Sequence, residues 1–220
     1  MIVAIDGPAA SGKSTAARAL AQRLGLTFLD TGAMYRAVTL VVLREGTDPA
    51  DAEACTAVAE RARLRFDAEG KIVVDDQPGE PEIRGAEVTR RVSEVSAHPG
   101  VRRALVREQQ AIARAAVEAG GGVVAEGRDM TSVVFPDADV RVFLVASPAE
   151  RARRRALEEG APERAAAYEE DLKRRDAYDS GREDSPLVEV EGAVRVDTDR
   201  MTADEVVDRI AGLAEDAKGG

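Results

Sequence analysis

The sequence predicts an α/β protein: a five-stranded parallel sheet in a three-layer arrangement, with helices on its faces. Three observations predict it. Short runs rich in β-branched residues alternate with helical patterns. Each run is followed by a polar or glycine-containing turn, where proteins of this class place ligands. The first run leads directly into Gly7-Pro8-Ala9-Ala10-Ser11-Gly12-Lys13-Ser14, whose glycine spacing suits a phosphate-cradling turn.

The expected core strands are Ile2 to Ile5, Thr27 to Leu29, Val123 to Ala125, Val140 to Val145 and Val194 to Val196. The first and fourth carry the β-branched residues typical of buried parallel strands. After the glycine-rich turn, Ala16, Ala17, Leu20 and Leu24 share one helical face, closed by Gly25 as a C-terminal cap. Met34, Val38 and Val41 mark a second helix. Ser147-Pro148-Ala149-Glu150 places an N-cap, a proline at the first helical position and an acidic capping-box partner in order. Thr202-Ala203-Asp204-Glu205 repeats the capping box before Val206, Ile210 and Leu213, and Gly219 and Gly220 end the chain in a frayed terminus. One stretch breaks the alternation. Two β-like runs, Leu64 to Phe66 and Lys71 to Val74, flank Asp67-Ala68-Glu69-Gly70, and a third run, Glu82-Ile83-Arg84, follows; the three read as a small antiparallel appendage.

Composition narrows the function classes. With 220 residues, 44% of them hydrophobic and 33% charged, the chain is long enough for one well-packed globular domain. A formal net charge of -10 disfavours binding to a nucleic-acid backbone, and the absence of Trp with only 3% aromatic residues leaves no base-stacking platform. The single cysteine, Cys55, permits neither an internal disulfide nor a cysteine-rich metal site. The opening Met1 to Gly7 has no basic leader, and no run approaches the roughly 18 apolar residues of a membrane helix, so a cytoplasmic protein with no membrane partner is expected. His98, the only histidine, precedes Pro99 and reads as a loop residue without a catalytic role.

The chemistry concentrates in four motifs. Gly7-x-x-x-x-Gly12-Lys13-Ser14 between a strand and a helix is a P-loop: backbone N–H groups and a helix N-terminus meet phosphate oxygens, Lys13 supplies a mobile charge, and the Ser14 hydroxyl is placed to ligate Mg²⁺. It indicates ATP binding and says little about the acceptor. Asp30-Thr31-Gly32-Ala33-Met34-Tyr35-Arg36 follows the second strand, and by itself is equally a capped helix start with Arg36 solvated. Gly127-Arg128-Asp129 lies just past the third strand; an arginine there can clamp a phosphate, an aspartate can accept from a base amine, and a surface ion pair is the alternative. Arg175-Asp176-Ala177-Tyr178-Asp179-Ser180-Gly181-Arg182 sits in a turn-rich segment after a charged helix and, in isolation, reads as a solvated charge run.

Taken together, in this order and at these separations, with Val133-Val134-Phe135-Pro136-Asp137-Ala138 after the third motif, the four resemble the bacterial cytidylate kinases. The resemblance runs from Ile5 to about Leu187, and the appendage from Leu64 to Arg84 fits the small β-rich insert of that family, which adenylate kinases lack. It implies a P-loop NTPase three-layer fold with a β insert in the monophosphate-binding region and a helical lid: core 1–32, 101–150 and 185–220, monophosphate-binding region 33–100, lid 151–184. It implies transfer of the ATP γ-phosphate to CMP or dCMP by a cytoplasmic enzyme of pyrimidine metabolism, expected to be a monomer, with Mg²⁺ accompanying ATP. By that resemblance Gly7 to Ser14, Thr15, Arg151 and Arg155 serve ATP; Thr31, Arg36, Arg128 and Arg182 hold the CMP phosphate; and Ser93, Arg102 and Asp129 read the cytosine edge. Arg175 and Asp179 contact the ribose, Tyr35 packs near the base, Gly127 belongs to the CMP loop, and Lys13, Arg36, Arg128 and Arg182 carry the catalytic charge.

Departures from the family pattern exist. Thr131-Ser132 stand where Gly-Thr is common, Gln109-Gln110 where Gln-Arg is common, and Ile83-Arg84-Gly85 where Ile-Arg-Thr is usual. A kinase for another nucleoside monophosphate, UMP/CMP or AMP, is the nearest rival reading. A guanine-nucleotide switch is disfavoured because its Asn-Lys-x-Asp motif needs an asparagine, and the chain has none.

Overall fold

The strand Ile2–Asp6 (β1) lies at the centre of a five-stranded parallel sheet with Thr27–Asp30 (β2), Val123–Gly127 (β6), Val140–Val145 (β7) and Val194–Asp197 (β8), in the order β2-β6-β1-β7-β8. The computed structural model describes residues 1–67, 69–182 and 184–219. By packing, the chain divides into two compact units, residues 1–28 with 113–220, and residues 29–112.

In the first unit, β1 is hydrogen-bonded on both sides, pairing Val3 with Val124 and Val140, and Asp6 with Gly127 and Phe143. Helices Lys13–Leu24 (α1) and Ala203–Gly219 (α8) contribute Ala16, Ala17 and Leu20, and Val206, Ile210 and Ala214, to one buried cluster with Val3, Ile5, Val142 and Leu144. The Thr202 capping box closes in both directions, Thr202 and Glu205 each accepting the other's N–H. At Ser147 only the N-cap half forms: Ser147 Oγ accepts the Glu150 N–H, its own N–H donates to Asp199 Oδ1, and the Glu150 carboxylate turns to Arg153 and Arg154. Ser147 opens Pro148–Glu158 (α6). The expected turn-rich segment at Arg175 to Ser180 is instead the end of a 16-residue helix, Ala165–Ser180 (α7). Ion pairs three and four residues apart, Lys173 with Glu169 and Arg174 with Asp171, support that helix, which is how a charge run of good helix formers holds its shape. Helix α8 runs to Gly219; of the expected frayed end, Gly220 lies outside the described residues.

The second unit is built around Thr31–Arg44 (α2), which buries Ala33, Met34, Tyr35, Ala37, Val38 and Val42. Ala52–Arg61 (α3) and Ala86–Val95 (α4) belong to it, as does the greater part of Pro99–Glu118 (α5). Its small sheet is antiparallel as expected, but the third strand is Gln77–Pro78 (β5), beside Ile72–Val74 (β4) and Leu64–Phe66 (β3), whereas Glu82–Arg84 is a single 3₁₀ turn. Asp75 and Asp76 both take positive φ, 47° and 66°, the two-residue reversal that turns β4 straight back into β5. That hairpin consumes the strand partner before residue 82 is reached. Of the expected turn at 67–70, Ala68 lies outside the described residues. No helix among the described residues is long and apolar enough to cross a membrane.

Ile210 is fully buried between α8 and the sheet. Ile210→Ala should cost about 2–5 kcal/mol of unfolding free energy with the urea m-value unchanged. A loss well below about 1 kcal/mol in urea titration would show that α8 is not part of the core.

Candidate active site

The phosphate loop is held by one close approach. Gly7 has φ +151°, and a Cβ there would lie 2.2 Å from the Leu144 carbonyl oxygen of β7, so no side chain fits. The loop then turns through Ala10 (φ 57°) and Gly12 (φ 90°), and α1 starts at Lys13 with no side chain capping it. An uncapped helix start after a glycine-rich turn presents N–H groups to an anion. Lys13 is buried, and its Nζ donates to the Pro8 carbonyl at 2.7 Å and to Ser11 Oγ at 3.5 Å. Burial pushes its pKa down from 10.5 to about 7, Arg128 and Arg175 push the same way, and Glu126 and Asp6 oppose them. Like charges crowded beside Lys13 make a place that a polyphosphate relieves.

Ser14 Oγ donates to Glu126 Oε1 at 2.8 Å. Glu126, near the end of β6, was not among the residues the sequence singled out; the available signal was an acidic residue closing the strand just before Gly127-Arg128-Asp129. A hydroxyl beside a carboxylate is a hard oxygen donor pair that suits Mg²⁺, which takes one or two protein oxygens and leaves the rest to phosphates and water. The described residues contain no cluster of three or more His, Cys, Asp or Glu that could hold a metal ion.

Beyond β6, Arg128 Nε donates to Asp179 Oδ2 at 2.8 Å, and Arg182 also pairs with Asp179. Burial alone would raise the Asp179 pKa; Arg128, Arg182 and Arg175 around it hold it below the ordinary range. Burial works against the charge of Arg128, but Asp179 and Glu126 keep its pKa above the usual value. Three guanidiniums thus gather about one carboxylate, with Glu126 and Asp176 also acting on Arg128. Asp129 is buried beside them in the chain.

The arginines of α6 divide their work. Arg151 is buried, donates to the Ala9 and Ala146 carbonyls at 3.1 Å each, and pairs with Asp176 of α7, whose other oxygen accepts the Ala9 N–H at 3.2 Å. Arg155 is turned along its own helix, pairing with Glu158 and Glu159. Arg154, not singled out in the sequence, reaches Thr198 and the Ser11 carbonyl of the phosphate loop.

In the second unit, Asp30 caps α2 by accepting the Ala33 N–H at 2.8 Å, which sets Thr31 at the helix start, buried. Arg36 donates to the Ile83 carbonyl at 3.2 Å and to Thr89 Oγ1 at 3.0 Å. Arg102 is buried, donates to the Ser96 carbonyl at 3.2 Å and stacks its guanidinium 5.3 Å from the Tyr35 ring centre. Ser93 is half-buried on α4. Arg84, another residue sequence reading left without a role, stands 3.6 Å from Asp30. His98 is engaged with the Pro49 carbonyl at 2.7 Å. The predicted residues therefore fall into two sets. One unit brings together Gly7 to Thr15 with Gly127, Arg128, Asp129, Arg151, Arg175, Asp179 and Arg182; the other carries Thr31, Tyr35, Arg36, Ser93 and Arg102.

A family model described as cytidylate kinase matches residues 3–216. A bifunctional pantoate ligase/cytidylate kinase of Parasynechococcus marenigrum is 48% identical over 217 residues, covering 95% of this chain and 42% of the relative, so the chain spans under half of that protein's length. A cytidylate kinase of Caldanaerobacter subterraneus subsp. tengcongensis is 46% identical over 211 residues, covering 94% of this chain and 92% of that one. Among solved structures, an uncharacterized protein from Eubacterium ventriosum aligns over 98% of both chains with a TM-score of 0.56 at 13% identity, a likeness of fold alone.

Lys13 makes a proton-linked prediction. With its pKa near 7, the ammonium of the free protein is about nine-tenths deprotonated at pH 8, and a polyphosphate restores its charge. Calorimetric titration with ATP at pH 8, in two buffers of different ionisation enthalpy, should therefore register uptake approaching one proton per ATP. Lys13→Arg, always charged, should abolish that uptake; uptake unchanged in that variant would assign the proton to another group.

Proposed function

This chain belongs to the cytidylate kinase family, and on that premise we propose that it transfers the γ-phosphate of ATP to CMP or dCMP, giving ADP with CDP or dCDP, in pyrimidine nucleotide metabolism. The reading is carried by the crowding of Arg128, Arg175 and Arg182 about the single Asp179 carboxylate, near enough to Lys13 for two of them to depress its pKa. Binding ATP calls for the phosphate loop; a second body of positive charge beside it answers an anionic acceptor.

In this proposal the ATP phosphates replace the Pro8 carbonyl and Ser11 hydroxyl as the acceptors of Lys13, and Gly7 to Thr15 wrap them with backbone N–H groups. Ser14, with Glu126 accepting from it, would hold Mg²⁺, which when bound neutralises charge on the β- and γ-phosphate oxygens. Arg151 and Arg155 serve the ATP side from the lid. Thr31, Arg36, Arg128 and Arg182 hold the CMP phosphate, with Gly127 in the same loop; Arg175 and Asp179 take the ribose, and Tyr35 packs near the base. The attacking oxygen is already an anion, so no general base is needed, and the site residues accordingly include no histidine. What the protein supplies is in-line positioning and compensation of charge by Lys13, Arg36, Arg128 and Arg182, with water kept out by the lid helices α6 and α7. Cytosine offers an amino group where uracil offers a carbonyl, so Asp129 or Ser93 accepts from the first alone, with Arg102 completing the edge. A buried acceptor left unpaired costs about 1–3 kcal/mol, one to two decades of preference. The proposal takes the enzyme as a cytoplasmic monomer acting on small molecules; a net charge of -10 disfavours a nucleic-acid partner.

A coupled ADP-release assay across CMP, dCMP, UMP and AMP should show CMP and dCMP turned over at least about tenfold more efficiently than the others. AMP or UMP used equally well would overturn the substrate assignment. Lys13→Ala should lower kcat by about 10²–10³, and near-normal turnover would refute its role. Arg102→Met should erase most of the preference for CMP over UMP.

A further inference from the structure

We infer that Asp6 and Thr131 are positioning residues for the phosphate acceptor: together they fasten the loop carrying Arg128 and Asp129 to the strand that feeds the phosphate loop. The inference rests on the kinase reading above, although it does not depend on which base the acceptor carries.

Asp6 is the last residue of β1, fully buried, and directly precedes Gly7. Its Oδ1 accepts the Met130 N–H at 2.9 Å; its Oδ2 accepts both the Thr131 N–H and the Thr131 hydroxyl, each at 2.7 Å. Thr131 is buried as well. The turn being held is unusually wide. Residues Met130–Val134 form one helical turn in which Val134 and Phe135 donate five residues back, to the Asp129 and Met130 carbonyls. At its start the Asp129 carbonyl accepts both the Val133 and the Val134 N–H, and no side chain caps it. Its beginning is Gly127-Arg128-Asp129, anchored at one side by the β-register of Gly127 with Asp6 and at the other by the same Asp6 through Met130 and Thr131. Arg128 and Asp129 are thus bracketed by a single residue, its backbone on one side and its side chain on the other.

That side chain is expensive to bury. Burial raises its pKa from 3.8 to about 6, Asp129 adding to the rise and the three donors from Thr131 and Met130 opposing it. Since the folded value lies above the unfolded one, it is the protonated carboxyl that favours the folded state, most below about pH 4, and that contribution is lost as pH rises through 6. An apolar residue in its place would strand the Met130 and Thr131 N–H groups in the interior.

The test uses Thr131→Val, which keeps the shape and removes the hydroxyl, Thr131→Ser, which restores it, and Asp6→Asn, each assayed well below its own Tm with ATP and acceptor varied separately. The acceptor is whichever monophosphate the wild type uses fastest. Thr131→Val should raise KM for the acceptor about tenfold while KM for ATP stays within about twofold, and Thr131→Ser should return to within about twofold of wild type. Asp6→Asn should do more than Thr131→Val, and the double variant less than the product of the two, because both act on one interaction. If Thr131→Val lowers Tm but leaves acceptor KM and kcat unchanged, or raises both KM values alike, or if Thr131→Ser fails to restore it, the positioning role is wrong while the kinase reading stands. Absence of turnover by the wild type with every monophosphate overturns both.

Discussion

Lys13 keeps its side-chain nitrogen inside the protein, against the Pro8 carbonyl, where burial above all, then Arg128 and Arg175, drive its proton affinity down and Glu126 and Asp6 pull it back up. A cation so placed is tolerable only while its counter-charges stay put, and much of the first unit serves that end. Glu126 sits in β6 and Asp6 in β1, neighbouring strands of one sheet, so the spacing of these two carboxylates is set by strand pairing and not by flexible loops. The glycine at position 7 lets the loop pass beneath the Leu144 carbonyl, which brings Lys13 back over the strand ends.

The same economy of charge orders α7. Asp179 holds Arg128 from the sheet and Arg182 from just past its own helix, so two arginines that would repel share a carboxylate. Asp176, one turn earlier, does the equivalent for Arg151 and also accepts the Ala9 N–H. Both contacts bind α7 to the phosphate loop and its neighbours through ionic hydrogen bonds instead of a broad apolar face; the apolar contribution there is small, with Leu172 and Ala152 packed against Ala9.

Much of the fold could be read along the chain because its signals are local. The five core strands fall where the apolar runs stand, each within one or two residues, the Thr202–Glu205 capping box closes, and Ser147 caps its helix as an N-cap alone. Local reading failed where the deciding group lay elsewhere. Glu82-Ile83-Arg84 has the look of a strand, but the reversal at Asp75 and Asp76 had already supplied β4 with its partner. The segment from Arg175 looked like a solvated turn because its charges have no visible partners in sequence; Asp179 finds Arg128 across 51 residues and Asp176 finds Arg151 across 25.

By itself, then, the sequence determined the strands, the helix starts, the phosphate loop and the family resemblance, all of which depend on residues a few positions apart: glycine spacing, β-branched runs, caps. Tertiary structure alone decided which charges meet. That Glu126 takes the Ser14 hydroxyl across 112 residues, that Arg154 and not Arg155 turns toward Ser11, and that Asp6 reaches across 125 residues to Thr131 follow from strand order and helix rotation. No periodicity encodes them, because an ion pair or buried hydrogen bond is specified by two distant positions jointly, and each looks ordinary in its own stretch of chain.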